Sequence, residues 1–497
     1  MAAAIMILGC ASNVGKSWIA TALCRLLRRR GYSVAPFKAQ NMSNNAAPAR
    51  TASGGWGEIG RAQAAQAAAA GLEPHVDMNP LLIKPTGVMN SQIVLLGEPL
   101  GNMAAIHYRK QLPRWKSQVH QAYDRLAAQY DVIVLEGAGS PAEINLKSRD
   151  IVNMSMARYA IDHAQKSGQP GAALLVGDIE RGGVFASLVG TLELLEPDER
   201  ALIKGVLINR FRGDPRLLQP GPDMFRDITG VPVLGVLPLR SDIQIDNEDS
   251  QDLTSASLVG EIDVCVLRLP TVSNFTDMDA LATLPGVSVR YAKQPTEVGN
   301  PDLLILPGAK DTLSDLRWLR HRGLDRSTLA AAARGIPILG LCGGFQILGR
   351  SLVDRSGTGG SAGHLDGLGL LDVSTQFAPD KQVRTVHGTT QAGWLLPAGL
   401  PVSGYEIHQG LTPAGATPML TLDQPDGAVC GLVAGTYLHG LLDSGPVRSA
   451  LVNALRARKA LPPLTDAPED LSAFRERQYE AAADLLEEHV DLSALLP

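Results

Sequence analysis

Residues 5–17 read Ile5-Met6-Ile7-Leu8-Gly9-Cys10-Ala11-Ser12-Asn13-Val14-Gly15-Lys16-Ser17. A short apolar run enters a turn that closes on Gly-Lys-Ser. Trp18, Ile19, Ala22, Leu23, Leu26 and Leu27 then recur at helical spacing. Strand, loop and helix in that order are what a phosphate site requires, because backbone N–H groups and the positive helix end face the anion. The familiar pattern has about four residues between the first glycine and the Gly-Lys pair; here Cys10 to Val14 intervene, one more. In such a loop Asn13 and Gly15 lie along the nucleotide, Lys16 reaches the β- and γ-phosphates, and the Ser17 hydroxyl reaches Mg²⁺. A helix N-cap without ligand is the bland alternative, and the strand-loop-helix context weighs against it. Gly31 is a stop signal, and Arg28, Arg29 and Arg30 suit a solvated last turn where cations meet the helix dipole.

Working outward, further apolar runs at Val34-Phe37, Val132-Leu135, Ala172-Val176, Gly205-Ile208 and Pro232-Leu237 do not alternate, as expected of strands buried on both faces. With helices between them they predict an α/β domain with a parallel sheet, residues 1–240, whose ligands gather at the carboxyl ends of the strands. Asn41 to Asn45, Glu136 to Gly139, Asp178 to Gly183 and Asn209-Arg210 follow such ends. Asn209 therefore joins the nucleotide-binding candidates. The polar, acidic stretch 241–258 reads as a linker. A second α/β domain, residues 259–445, starts with runs at Ile262-Leu267, Val287-Arg290, Leu303-Leu306 and Ile338-Leu341. Strands at Val402-Ile407 and Val429-Tyr437 follow, and 446–497 reads as a charged helical tail.

The charge balance, 45 Lys and Arg against 50 Asp and Glu for a net −5, gives no electrostatic case for nucleic acid or an anionic membrane. The five cysteines lie far apart with no CxxC pair, so neither a zinc site nor a disulfide framework is expected. Ten histidines without paired ligand spacing predict no structural metal and no prosthetic group; His364 and His387 read as surface or packed residues. The apolar start, Ala2 to Leu8, is too short for a spanning helix and lacks a basic flank. A reducing cytoplasmic location is the expectation, and a homo-oligomer stays open.

The longer loop resembles that of dethiobiotin synthetase and its relatives. Lys38, in Pro36-Phe37-Lys38, resembles their second-strand lysine beside the phosphates and the substrate carboxylate. Glu136-Gly137-Ala138-Gly139 resembles the segment whose glutamate helps hold Mg²⁺. Four further runs, in order, resemble the cobyric acid synthase family over nearly the whole chain: Gln40 to Asn45, Gly57 to Gln63, Asn79 to Pro85 and Asp178 to Phe185. The resemblance implies ATP, Mg²⁺ and glutamine as reactants and a corrin small molecule as substrate. The substrate the resemblance implies is adenosylcobyrinic acid a,c-diamide, amidated at its b, d, e and g carboxylates. Gln40, Asn41, Ser43, Asn44, Glu58 and Arg61 become substrate-binding candidates.

In the second half, Gly340-Leu341-Cys342-Gly343-Gly344-Phe345-Gln346 joins a strand to a helix expected over 345–352. A nucleophile at such a turn is exposed beside a helix N-terminus. The Gly343 N–H can donate to an oxyanion, and Gly308 in Leu306-Pro307-Gly308-Ala309-Lys310 marks a second donor position. His439 supplies a general base. The order resembles the triad-type glutamine amidotransferases, and so implies that the second domain has their class I α/β fold. Two residues beyond the histidine those enzymes carry glutamate, where this chain has Leu441; the group that orients His439 is left unassigned, with Asp443 one candidate and a Cys-His dyad sufficient in principle. Cys10, Cys24, Cys265 and Cys430 read as structural. Glu406 and His408 share one face of a strand, and the resemblance favours a patch facing the partner domain or the corrin. Two rivals stand beside this reading: a cobyrinic acid a,c-diamide synthase or related ligase, and a non-catalytic nucleotide switch.

Overall fold

The structure, a computed structural model, describes residues 2–86, 90–246, 260–493 and 495. The buried non-alternating runs of the first half form one six-stranded parallel sheet. Its order is Val233–Pro238, Ile203–Phe211, Gly171–Asp178, Ala3–Gly9, Val132–Glu136 and Val34–Phe37. Every residue of the strand Ala3–Gly9 is buried. That strand lies between Gly171–Asp178 and Val132–Glu136, so the loop after it opens at the carboxyl edge, between the ends of its neighbours.

The second half builds another six-stranded sheet in the order Val287–Ala292, Ile262–Leu267, Leu303–Leu306, Ile338–Leu341, Val433–Thr436 and Ala428–Cys430. It is parallel except for its last, antiparallel pair. The expected strand over 429–437 is thus a tight hairpin, turned at Gly431 with φ 57°. The helix expected to reach Leu352 ends at Leu348. Ser351–Asp354 is a strand, which supports the long hairpin of Ser374–Thr390 and Pro401–Leu411.

The stretches that follow the strand Val34–Phe37 are ordered insertions. Gln40–Met42 pairs with Leu81–Pro85 in a small four-stranded sheet, and Ala46–Arg50 pairs with Trp56–Gly60. Ala46, Leu82 and Val94 of these insertions pack against Tyr405 and Ile407 of the second half.

The described residues of the expected tail, 446–493 and 495, do not trail away. The helix Gly445–Arg458 buries Val447, Leu451, Val452 and Leu455 in the second core. The helix Leu471–His489 returns to the first domain, where Tyr479, Ala482, Ala483, Leu485 and Leu486 join the core beneath the helix Lys16–Arg29. Arg29 and Arg30 stay exposed, as a solvated helix end should, and pair with the C-terminal helix. Arg29 pairs with Asp484 and Glu487, and Arg30 with Glu487 at 2.8 Å. Of the stretch read as a linker, 247–258 lies outside the described residues, while Asp246 pairs with Arg61 at 3.1 Å and Arg475 at 3.0 Å.

Candidate active site

The Gly9–Ser17 loop turns through Asn13 at φ 58° and Gly15 at φ 100° before the helix begins at Lys16. Gly15 is required twice over, since its backbone is left-handed and a Cβ there would strike the Asn209 amide. Asn209 clamps the loop by donating from Nδ2 to the Val14 carbonyl at 2.9 Å. Lys16 is buried, its Nζ donating to the carbonyls of Ala11 at 3.1 Å and Gly139 at 3.2 Å.

Glu136, at the end of its strand and fully buried, organises the floor. It accepts from Ser17 Oγ at 2.8 Å, Lys38 Nζ at 2.9 Å and Gln66 Nε2 at 2.5 Å. A hydroxyl and a carboxylate side by side below a phosphate loop are hard oxygen donors. They fit Mg²⁺, which is commonly held by one or two such groups together with phosphate oxygens and water. Gln66 escaped the sequence reading. Its signal was a polar residue inside the alanine-rich helix Arg61–Ala70, where it is wholly buried.

A cavity of 1130 Å³ opens over this floor. That exceeds the roughly 300–1,000 Å³ of a single-ligand pocket, and suits a nucleotide beside a second bulky substrate. Gln40, Asn41, Ser43 and Asn44 line it together with Lys16, Ser17 and Lys38. Glu58 and Arg61 are not among its lining residues. Glu58 is fully buried between Lys84, at 2.7 Å, and Lys381. Arg61 is held by Asp246.

The second constellation centres on Cys342, at φ 49° and ψ −104° between the strand Ile338–Leu341 and the helix Gly343–Leu348. A non-glycine residue at positive φ is strained, and such strain gathers at functional turns. The turn is tightly packed: a Cβ on Gly343 would stand 2.6 Å from Ala309 Cβ, and one on Gly308 would stand 3.3 Å from His439 Cε1. The 308–309 segment, the nucleophile turn and the histidine therefore share one small volume. Cys342 Sγ lies 3.8 Å from the Ile407 carbonyl.

His439 is fully buried and stacks on Tyr405 with centroids 5.2 Å apart. Its Nδ1 is 2.7 Å from Asp277 Oδ2, and Asp277 Oδ1 accepts from the Gly440 N–H at 2.9 Å. Nε2 makes no hydrogen bond of ordinary geometry. Burial opposes a charged ring here, but the Asp277 carboxylate and the neighbouring Cys342 thiol outweigh it and push the imidazole up to about 10. A carboxylate on one ring nitrogen sets the tautomer and leaves the other for proton transfer with a thiol.

The orienting carboxylate is thus Asp277, not Asp443. Asp443 Oδ2 pairs with Arg475 Nη1 at 3.0 Å. Asp277 lies in the short turn Phe275–Met278, 162 residues upstream of the histidine. Its only sequence signal was position: it follows the strand Ile262–Leu267, at the edge where the second sheet gathers its polar groups. Glu406 and His408 do share a face; Tyr405 and Ile407, on the opposite one, pack against the first domain, while His408 lines a small cavity with Lys84 of that domain. Glu406 pairs with Arg384 at 2.6 Å, and His408 stacks on Tyr437 beside Cys342.

Among the described residues no group of three or more His, Cys, Asp or Glu could hold a metal, and no helix is long and apolar enough to cross a membrane.

Residues 5–252 match the family described as the CobQ/CobB/MinD/ParA nucleotide binding domain, and residues 263–447 match the CobB/CobQ-like glutamine amidotransferase domain. Curated relatives called cobyric acid synthase align along the full chain. The Yersinia enterocolitica protein is 45% identical, over 99% of this chain and 97% of its own length. The Citrobacter koseri protein is 46% identical, over 100% and 98%. The Desulforudis audaxviator protein is 47% identical, over 99% and 98%. The chain belongs to the cobyric acid synthase family.

Proposed function

We propose that this chain is a glutamine-hydrolysing, ATP-dependent amide ligase that converts the b, d, e and g carboxylates of adenosylcobyrinic acid a,c-diamide to amides. The observation that carries the reading is the pairing, in one chain, of a Cys342–His439–Asp277 relay with a phosphate-loop floor built on Lys16, Ser17, Lys38 and Glu136.

At the relay, Cys342 Sγ attacks the glutamine side-chain carbonyl. The N–H groups of the 308–309 segment and Gly343 receive the oxyanion, and His439 Nε2 delivers the proton that lets ammonia leave. Water then cleaves the thioester to glutamate and regenerates the thiol. Asp277 holds the ring and balances its charge throughout. At the loop, Lys16 and the backbone N–H groups cradle the triphosphate, and Lys38 bridges it to the substrate carboxylate. Ser17 and Glu136 would hold Mg²⁺, which would supply further neutralisation of the two anions that must meet. The carboxylate takes the γ-phosphoryl group of ATP, releasing ADP, and ammonia attacks the acyl carbon of the acyl phosphate, expelling phosphate.

The test is product mass after incubation with ATP, Mg²⁺ and the corrin, wild type beside Cys342→Ala, with glutamine and then with ammonium. Four added amides, lost in the variant with glutamine and retained with ammonium, are expected. Two amides added to cobyrinic acid, and none to its a,c-diamide, would make it the a,c-diamide type of enzyme. No amide from either nitrogen source would overturn the ligase reading and reopen that of a nucleotide switch.

A further inference from the structure

The segment 141–150 leaves the ligase floor just after Glu136-Gly137-Ala138-Gly139 and runs along the large cavity as an arm. Glu143, Leu146, Lys147, Arg149 and Asp150 of this arm line the cavity. Its far end is pinned. The Asp150 carboxylate accepts from the N–H groups of Val152 at 3.0 Å, Asn153 at 2.8 Å and Ser155 at 2.8 Å, at the start of the helix Met154–Lys166. Asn153 in turn exchanges two hydrogen bonds with the Ala138 backbone, at 3.0 and 2.8 Å. In the middle of the arm, Lys147 Nζ pairs with Glu199 at 2.8 Å and Glu196 at 3.1 Å.

Held in this way, the arm presents apolar side chains to water. Ile144 is 64% exposed and Leu146 is 48% exposed. Met42, from the strand Gln40–Met42, is 56% exposed and lines the same cavity as Leu146. One exposed leucine is ordinary on any surface. Exposed apolar groups gathered around a cavity, on a segment fixed by buried and paired anchors, mark a binding surface.

Five cations line the large cavity: Lys16, Lys38, Lys147, Arg149 and Arg210. Four are engaged. Lys16 donates to the carbonyls of Ala11 and Gly139, Lys38 pairs with Glu136, Lys147 with its two glutamates, and Arg210 with Asp178 at 3.0 Å. The Arg149 guanidinium is exposed and has no hydrogen-bond or ion-pair partner among the described residues. Its planar fork fits a carboxylate through two parallel N–H···O bonds.

We propose that the arm is the corrin-holding edge of the large cavity: Leu146 and Met42 carry the macrocycle, and Arg149 pairs with a ring carboxylate other than the one being amidated. This rests on the ligase reading above. On that reading the substrate is a broad, largely apolar ring fringed by acid side chains, and four of its carboxylates must reach one phosphate floor in turn. The ring therefore binds in several orientations, and a matched set of hydrogen-bond donors would serve only one of them. Apolar contact is non-directional, and a methionine adapts its shape. A guanidinium at the rim pairs with whichever carboxylate each orientation brings to it.

The experiment measures ammonium-driven amidation by the full chain, which leaves glutamine hydrolysis out of the readout. Arg149→Met, Arg149→Lys and Leu146→Asn are compared with wild type over a range of corrin and of ATP concentrations. Both residues are exposed, so the variants should keep the wild-type thermal midpoint. The KM for the corrin should rise about tenfold in Arg149→Met, less in Arg149→Lys and several-fold in Leu146→Asn, with kcat and the KM for ATP near wild type. A corrin KM that stays at the wild-type value in Arg149→Met or in Leu146→Asn overturns the proposal. So does a rise in the KM for ATP instead, since the guanidinium would then serve the nucleotide, and so does a fall in kcat alone. A wild type that amidates from neither nitrogen source overturns the ligase reading instead.

Discussion

Asp277 holds His439 through one oxygen and the Gly440 amide through the other. Replacing it with asparagine keeps the shape but leaves the ring free to choose its tautomer. Glutamine-dependent turnover should fall about 10²–10⁴-fold, with ammonium-dependent amidation intact. Asp443→Asn should leave the ratio of the two rates unchanged, which steady-state assays with each nitrogen source would reveal. The same contact makes stability depend on pH. Folding raises the His439 imidazole from 6.5 to about 10, so the folded state binds the extra proton. Its stabilisation is complete below the unfolded value and is lost as pH rises through the folded one. The thermal midpoint should therefore drop between about pH 7 and about pH 10, and drop less in Asp277→Asn. At the other centre, Glu136→Gln removes the carboxylate that Ser17, Lys38 and Gln66 share. Amidation from either nitrogen source should fall at least about 10²-fold, while glutamine hydrolysis by Cys342 remains measurable.

The C-terminal helix Leu471–His489 lies on the helix that begins with Lys16. It makes many ion pairs there and buries a compact apolar face, and magnitude separates the two. Arg29 and Asp484 are both partly exposed, and such surface pairs contribute about 0–1 kcal/mol. Leu486 is almost wholly buried, and leucine-to-alanine changes at such sites cost about 2–5 kcal/mol. Denaturant titration should therefore find Leu486→Ala far more damaging than Asp484→Asn. Equal effects would mean that the charges seat the helix. The short elements around Cys342 follow the same packing logic. Gly343→Ala places a methyl group against Ala309. Overpacking of this kind costs about 1–3 kcal/mol, and here it also shifts an oxyanion donor.

At the scale of the molecule, the two sheets were legible as apolar, non-alternating runs, because strands buried on both faces leave that mark in any sequence. The phosphate loop and the cysteine turn were legible too. In each, a short run of glycines with Lys-Ser or Cys carries chemistry that neighbouring residues can declare. Other features were not legible, for one shared reason. Asp277 serves a histidine far along the chain, Glu58 binds lysines from both halves, and the last helix completes the first core. Each looks locally like an ordinary polar turn, strand residue or charged tail, and its role exists only once distant segments are packed together. Local periodicity and loop chemistry in the sequence thus sufficed for the fold class and for placing the phosphate loop and the cysteine turn between strand and helix. Burial, which turns a carboxylate into an obligatory partner for whichever cation or imidazole the fold brings to it, set the orientation of His439 by Asp277 and the meeting of Lys84 and Lys381 on Glu58.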